Sequence, residues 1–484
     1  MSLRPGQPFS LPRRRREPRA ARAHRSLPAL WLAALVLAGC TGDTPPNLVL
    51  ISIDTLRADH LSAYGYPRAT SPNIDRLASE GVVFERAWSP ANWTLPAHVS
   101  MLTGLYPHEH RVERFQEALH KDVETLPEAL APLGYRSAGV VSTVPFLSRK
   151  HGLAQGWNIY DDNTAFPPPA DRLGRFISSP DFVSSALVHR RAVELLDTLA
   201  PGPFFLFLHY FDVHASYLPP PPYDRIFPTE PDRVRAPRLD LLEVDEAQRG
   251  EAESRARLYD GEIRWVDHWI GELLAEIERR GLAENTAIVL TADHGEEFFE
   301  HSRWEHHGNA YDTSLRVPLI VRLPGRRLAG RRSRATASLV DVPAILLGAA
   351  GRTEPRYASG RDLLSPASSE NSPAGERDIL IRTERDFRSN LFLVGIVSGG
   401  YKAIFDTEPR GHAISGLVGL FEIDRDPYER RDLGKQLPEL VESLRARVDR
   451  DLAAGLRSSR RRKSLPVANH DRKEEESLRA LGYL

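Results

Sequence analysis

The stretch Trp93-Thr94-Leu95-Pro96-Ala97-His98, ahead of Val99 to Thr103 and Gly104, has the residue types of a nucleophile set at a helix start. Pro96 suits the first turn of a helix and Gly104 suits its stop. A hydroxyl there meets free backbone N–H groups and the positive end of the helix dipole. Those conditions favour attack on an anionic ester. The same spacing also describes a plain N-cap, with Thr94 serving a backbone donor and nothing else. Acid and imidazole come from other parts of the chain. Asp54 follows Asn47 to Ile53, Asp212 and His214 follow Pro203 to Leu208, and Asp293 with His294 follows Thr286 to Thr291. One such aspartate reads as a turn or cap residue. Three, two of them near a histidine, predict a divalent metal site. The polar loop 297–310 adds His301, His306 and His307, which are either solvated or close enough to Asp293 to join that site.

The elements that must position these residues are readable from periodicity. Asn47 to Ile53, Arg136 to Val141, Pro203 to Leu208, Thr286 to Thr291 and Val317 to Leu323 are short apolar runs, as in strands buried on both faces. Between them the spacing predicts helices over 73–81, 124–133, 186–199 and 257–280. The last carries Ile263, Val266, Ile270, Leu273, Leu274 and Ile277 as a 3.6-residue stripe. Alternation of this kind implies an α/β fold, a mostly parallel sheet sandwiched by helices. Ligands of such sheets bind beyond the carboxyl ends of the strands, where the three acidic groups fall. Residues 228–256 are charged and proline-bearing and read as a surface insertion over the site.

Length and composition bound the rest. At 484 residues the chain can bury a large core. Lys plus Arg is 64 and Asp plus Glu is 65, a balance that argues against a nucleic-acid partner. The single cysteine, Cys40, excludes an internal disulfide and a cysteine-based zinc site. It ends Leu37-Ala38-Gly39-Cys40, after a basic leader and the apolar run Leu27 to Leu37. That run fits the h-region of a secretory signal, and the tetrapeptide looks like a bacterial lipobox. The expected organisation is a lipoprotein signal peptide over 1–39 and a tether over 40–46 with Cys40 lipidated. A catalytic domain then covers 47–350, a small C-terminal α+β subdomain 351–455, and a charged tail 456–484. The expected location is the bacterial cell envelope, periplasmic or at the cell surface, with the membrane reached through the lipid anchor.

The ordered motifs Ile53-Asp54-Thr55-Leu56-Arg57-Ala58-Asp59, Ser71 to Ala78, Met101 to Pro107, Tyr259 to Ile263, Thr291 to Glu296, Tyr311 to Val321 and Leu420 to Pro427 resemble the sulfatase family of the alkaline phosphatase superfamily. The likeness covers nearly everything after residue 46. It implies a hydrolase acting on sulfuric or phosphoric esters, with a metal held by Asp54, Asp293, His294 and the Thr94 oxygen. The departures are chemical. Sulfatases carry Cys or Ser at the nucleophile position, converted to formylglycine, and an Arg four residues on. Thr94 and His98 stand there, so no formylglycine is expected. Thr-x-Pro-x-His instead resembles the nucleotide pyrophosphatase/phosphodiesterases. Asp293-His294-Gly295-Glu296 with His307-Gly308 resembles the phosphoethanolamine transferases.

Three oxygens and one imidazole suit zinc or manganese, with calcium or magnesium as alternatives. His214 and His307 are the candidates for protonating the leaving group, and His98 is a further catalytic candidate. Asp212, His214 and His307 could instead surround a second metal. A phosphodiesterase or transferase-like phosphoryl transfer enzyme is the alternative within the superfamily. A surface-anchored binding protein without catalysis is the alternative outside it.

Overall fold

In the computed structural model, the described residues are 44–142, 146–163, 184–215, 217–227, 241, 244–306, 308–352, 359–365, 377–386, 391–408, 413–459 and 468. Cys40, His307 and most of the charged tail lie outside them. Eight strands build the main sheet: β1 (Asn47–Ile53), β2 (Val82–Trp88), β3 (Arg136–Val140), β4 (Ile159–Asp161), β5 (Phe204–Tyr210), β6 (Thr286–Ala292), β9 (Leu319–Arg322) and β10 (Arg331–Ser338). The hairpin β7 (Glu297–Phe298) and β8 (Trp304–Glu305) stands apart from it. The order is β10-β2-β9-β6-β1-β5-β3-β4. β9 is antiparallel to both its neighbours, and the remaining pairs are parallel. β1, β5 and β6 are buried along their whole length. This explains why they read as unbroken apolar runs instead of alternating ones.

The helices are α1 (Pro72–Ser79), α2 (Thr94–Thr103), α3 (Pro107–His110), α4 (Leu126–Leu130), α5 (Ser184–Leu199), α6 (Glu246–Arg279), α7 (Asp312–Leu315), α8 (Val342–Ala349) and α9 (Pro438–Ser459). Of the residues expected as a surface insertion, those from Glu246 belong to α6. Asp245 caps that helix, accepting the Gln248 N–H at 2.8 Å, which is why it starts at Glu246 and not at the expected residue 257. β2 and β10 were not expected as strands. β2 alternates Glu85 and Arg86 into an otherwise apolar run, and β10 is an arginine-rich edge, so both lack the buried-strand signature. A second sheet, antiparallel, joins β11 (Ile379–Asp386), β12 (Leu391–Ser398), β13 (Tyr401–Thr407) and β14 (Ile414–Glu422), with α9 packed on it. Among the described residues no helix is long and apolar enough to cross a membrane.

Candidate active site

Parallel pairing in register brings the ends of β1, β5 and β6 to one edge, with Ile53 level with Tyr210 and Ala292. Asp54 and Asp293 are the next residues on two of these strands, and α2 starts beside them. Thr94 is the first helical residue; the extended Trp93 takes the N-cap position. The Thr94 hydroxyl caps nothing. It sits 3.4 Å from Asp54 Oδ2 and 3.5 Å from His294 Nε2, fully buried. Gly104 closes the helix in the left-handed region, as its spacing predicted.

Hydrogen bonds fix which atoms face inward. Asp293 Oδ1 accepts the Thr55 N–H at 3.2 Å and the His294 N–H at 2.9 Å. Its Oδ2 is buried and unpartnered, 3.4 Å from His294 Nε2. His294 Nδ1 donates to the Gly295 carbonyl at 3.0 Å, so the Nε2 lone pair points at the carboxylates. Asp54 Oδ1 is likewise buried without a partner. Burial, and then the Asp54 charge, push the Asp293 carboxyl up to about 7. Burial raises Asp54 as well. Burial pushes the His294 imidazole down to about 4. Orphaned carboxylate oxygens, a neutral imidazole and a hydroxyl, gathered in one buried space, are a donor set that a divalent cation satisfies. The residues fit the metal that the sequence implies.

The other expected residues divide. His98 is buried in α2 with both nitrogens engaged. Nδ1 donates to the Thr94 carbonyl at 2.8 Å, and Nε2 lies 3.0 Å from the Ser52 hydroxyl. It braces the Thr94 helix turn against β1, and its Nδ1 also lies 3.6 Å from Asp293 Oδ2. Asp212, expected near a second metal, is turned away. Its Oδ1 accepts from Ser184 N and Oγ, and its Oδ2 accepts the Ser185 N–H at 2.8 Å, so it caps α5. His214 stays with the site: its Nδ1 donates to Ala215 O, and its buried Nε2 is unpartnered. His301 is structural, bridging Glu297 and the Tyr428 carbonyl.

The sequence reading missed His209 and left His306 open between solvent and the site. His209, on β5, has its Nε2 buried without a hydrogen-bond partner 3.2 Å from Asp54 Oδ2. A histidine inside the apolar run of a buried strand was the available signal. His306 is fully buried instead of solvated. Its Nδ1 is 3.2 Å from Glu296 Oε1, and its ring lies 4.3 Å from His294 and 5.3 Å from His214. Thr55 carries the site's backbone strain. At φ 54 a β-branched residue is costly, and the turn aims its N–H at Asp293. Tyr259 holds that turn, donating to the Thr55 carbonyl at 2.7 Å and accepting the Arg57 N–H at 2.8 Å.

This fold and donor set define a hydrolase-like site, with groups that could hold a metal ion, on an α/β sheet. Residues 46–352 match the Sulfatase family, more than half of the chain, and the protein belongs to that family. It is a hydrolase acting on ester bonds. The chain is 29% identical over 421 residues to the "Multifunctional alkaline phosphatase superfamily protein PehA" of Trinickia caryophylli, covering 71% of this chain and 81% of that one. It is 27% identical over 500 residues to Arylsulfatase A of Bos taurus, covering 86% and 89%. The crystal structure of the phosphonate monoester hydrolase of Agrobacterium radiobacter shares the fold, with a TM-score of 0.66, 21% identity, and coverage of 88% and 100%.

Proposed function

We propose that this protein cleaves an ester of phosphoric or sulfuric acid with Thr94 as the nucleophile. The observation that carries the reading is the Thr94 hydroxyl. It is buried at the start of α2, serves no cap, and faces Asp54 and His294 within 3.5 Å. Asp54, Asp293, His294 and the Thr94 oxygen would hold a divalent cation, with zinc or manganese suiting the mixed donors. When bound, that cation favours the ionised hydroxyl and offsets charge on the ester oxygens.

The chain's own groups supply the rest. The N-terminus of α2 presents backbone N–H groups to an anionic ester. His98 keeps the first turn in place through the Thr94 carbonyl. Thr94 Oγ1 passes its proton to Asp54 Oδ2 and forms the bond to phosphorus or sulfur, the bond from that atom to the alcohol oxygen breaks, and the alcohol leaves with a proton from an imidazole. His214, with Nε2 turned into the buried site, is the described candidate for that proton. Water then cleaves the Thr94 ester and frees the enzyme.

Threonine favours phosphorus. A phosphothreonine opens by attack at phosphorus, while a sulfothreonine lacks the elimination route of a formylglycine hydrate. The names of the relatives span both chemistries, from Arylsulfatase A to phosphonate monoester hydrolase. The deciding experiment is turnover by the metal-replete protein on matched aryl phosphate monoesters, diesters and sulfates, with Thr94→Ala as control. A Thr94-dependent preference for a phosphorus ester supports the reading. A Thr94-independent rate on every ester defeats it. The Leu37 to Cys40 lipobox supports the same activity outside the cytoplasm, on a lipid anchor.

A further inference from the structure

We infer that the edge of the sheet opposite the active site is a docking surface for an anionic lipid bilayer, with the loop between β9 and β10 as its contact. Active-site residues leave the carboxyl ends of β1 and β6, whereas Pro45 and Asn285 stand at their start, where Asn47 pairs with Thr286. Asn285 donates its side-chain amide to the Pro45 carbonyl at 3.3 Å, and Tyr135 donates to Pro46 O at 2.8 Å. The chain's entry is thereby pinned to this edge. The turn Ala283–Asn285 packs against the turn Pro324–Arg326, which opens the β9–β10 loop. β9 runs antiparallel, with Arg322 level with Ile288, so the loop hangs from the same edge.

The composition of that loop matches a lipid surface. Residues 325–332 are all exposed, and five arginines fall between 326 and 334. Arg326 pairs with Glu80, and Arg332 with Glu85. Arg327 and Arg334 extend the exposed positive face. Leu328 stands among them at φ 63, 40% exposed. A leucine in the left-handed region contributes neither core packing nor a relaxed turn. An apolar tip ringed by arginines suits insertion at the headgroup level, with the guanidinium groups on lipid phosphates. Where the chain leads supports the same occupant. Pro45 is five residues from Cys40, a reach of about 18 Å at full extension. A lipid on Cys40 would hold this edge, and not the active site, at the bilayer.

The test labels the full chain with an environment-sensitive thiol fluorophore at Leu328→Cys, or at Leu218→Cys beyond the far end of β5. The unsubstituted chain is the blank for Cys40. The protein is mixed with phosphatidylglycerol/phosphatidylcholine vesicles carrying a spin-labelled lipid. Quenching at position 328 and not at 218 is expected. Reversing Arg327 and Arg334 to Glu should weaken vesicle binding by about fivefold or more for each position. Equal quenching at both sites, none at 328, or insensitivity to both reversals overturns the inference. So does capture by a soluble polyanion that leaves the probe at 328 unquenched on vesicles, which would make the loop a polyanion site.

Discussion

Thr94→Ala separates the two readings of the central helix start. The structure fixes how much stability the side chain contributes. Its hydroxyl contacts, at 3.4 and 3.5 Å, are longer than good hydrogen bonds, and the N-cap position belongs to Trp93. What remains is one buried methyl group, worth about 1 kcal/mol with the small cavity it leaves. The melting temperature should therefore fall by only a few degrees. A true N-cap loses a comparable amount, about 1 kcal/mol, and touches no chemistry. The nucleophile reading predicts a different outcome in rate. Losing a covalent nucleophile should cost at least about 10⁴-fold, or roughly 5.5 kcal/mol of transition-state stabilisation. Initial rates and melting curves on the same metal-replete preparation compare the two directly. Thr94→Ser keeps the oxygen at the same place and should retain measurable activity. If Thr94→Ala turns over any of the esters within tenfold of the unsubstituted protein, the nucleophile assignment is refuted.

Further outcomes follow from the same structure. Asp293→Asn should lower divalent metal affinity, read by chelator competition, whereas Asp212→Asn should lower only the melting temperature, because its partners are the first N–H groups of α5. Comparable losses of metal affinity in both would put Asp212 back in the site. Burial and the nearby Arg382 hold His108 down to about 3, so in the fold it is neutral at mild acid. The unfolded chain takes up that proton below about 6.5, so this residue's contribution is intact above that pH and falls as pH drops. At pH 5 the loss is about 2 kcal/mol, and His108→Gln should flatten the melting temperature's decline between pH 6.5 and 5. Lys402→Met should destabilise by about 3–5 kcal/mol, measured by denaturant unfolding, because it strands two buried carboxylates.

The main sheet was legible because β1, β5 and β6 are buried on both faces and so read as unbroken apolar runs. Asp54, Asp293 and His294 were legible for the same reason, since chemistry placed directly after such a strand is marked by the change in polarity. β2 and β10 were not, because a strand that carries Arg86 or lies at an arginine-rich edge lacks that contrast. The roles of Asp212 and His98 depend on partners far away in sequence. Asp212 and Ser184 are 28 residues apart, and His98 and Ser52 are 46 apart. His209 was passed over, and His306 was left open between solvent and the site, for opposite reasons. The first sits inside an apolar strand and the second in a polar loop whose burial no local pattern announces.

The turn after His294 is held by way of the C-terminal sheet, which gives the second sheet a part in the site. Lys402, on β13, reaches Asp312 Oδ1 at 2.7 Å and Glu429 Oε1 at 2.9 Å, all three buried. Trp88 donates to the same Asp312 oxygen at 2.9 Å. Asp312 opens α7, and the next two carbonyls of α7 face the site. Thr313 O accepts the Glu296 N–H at 3.1 Å, and Ser314 O accepts the Gly295 N–H at 2.8 Å. Residue 295 must be glycine here, since a Cβ would stand 2.1 Å from the Thr313 carbonyl oxygen. Gly295 also supplies the carbonyl that fixes the His294 ring. A short chain of buried contacts therefore runs from Lys402 through Asp312 and α7 to the imidazole facing Asp54. Truncating the chain before β13 would remove a brace of the turn after His294, although Asp54, Thr94, Asp293 and His294 all lie before residue 295.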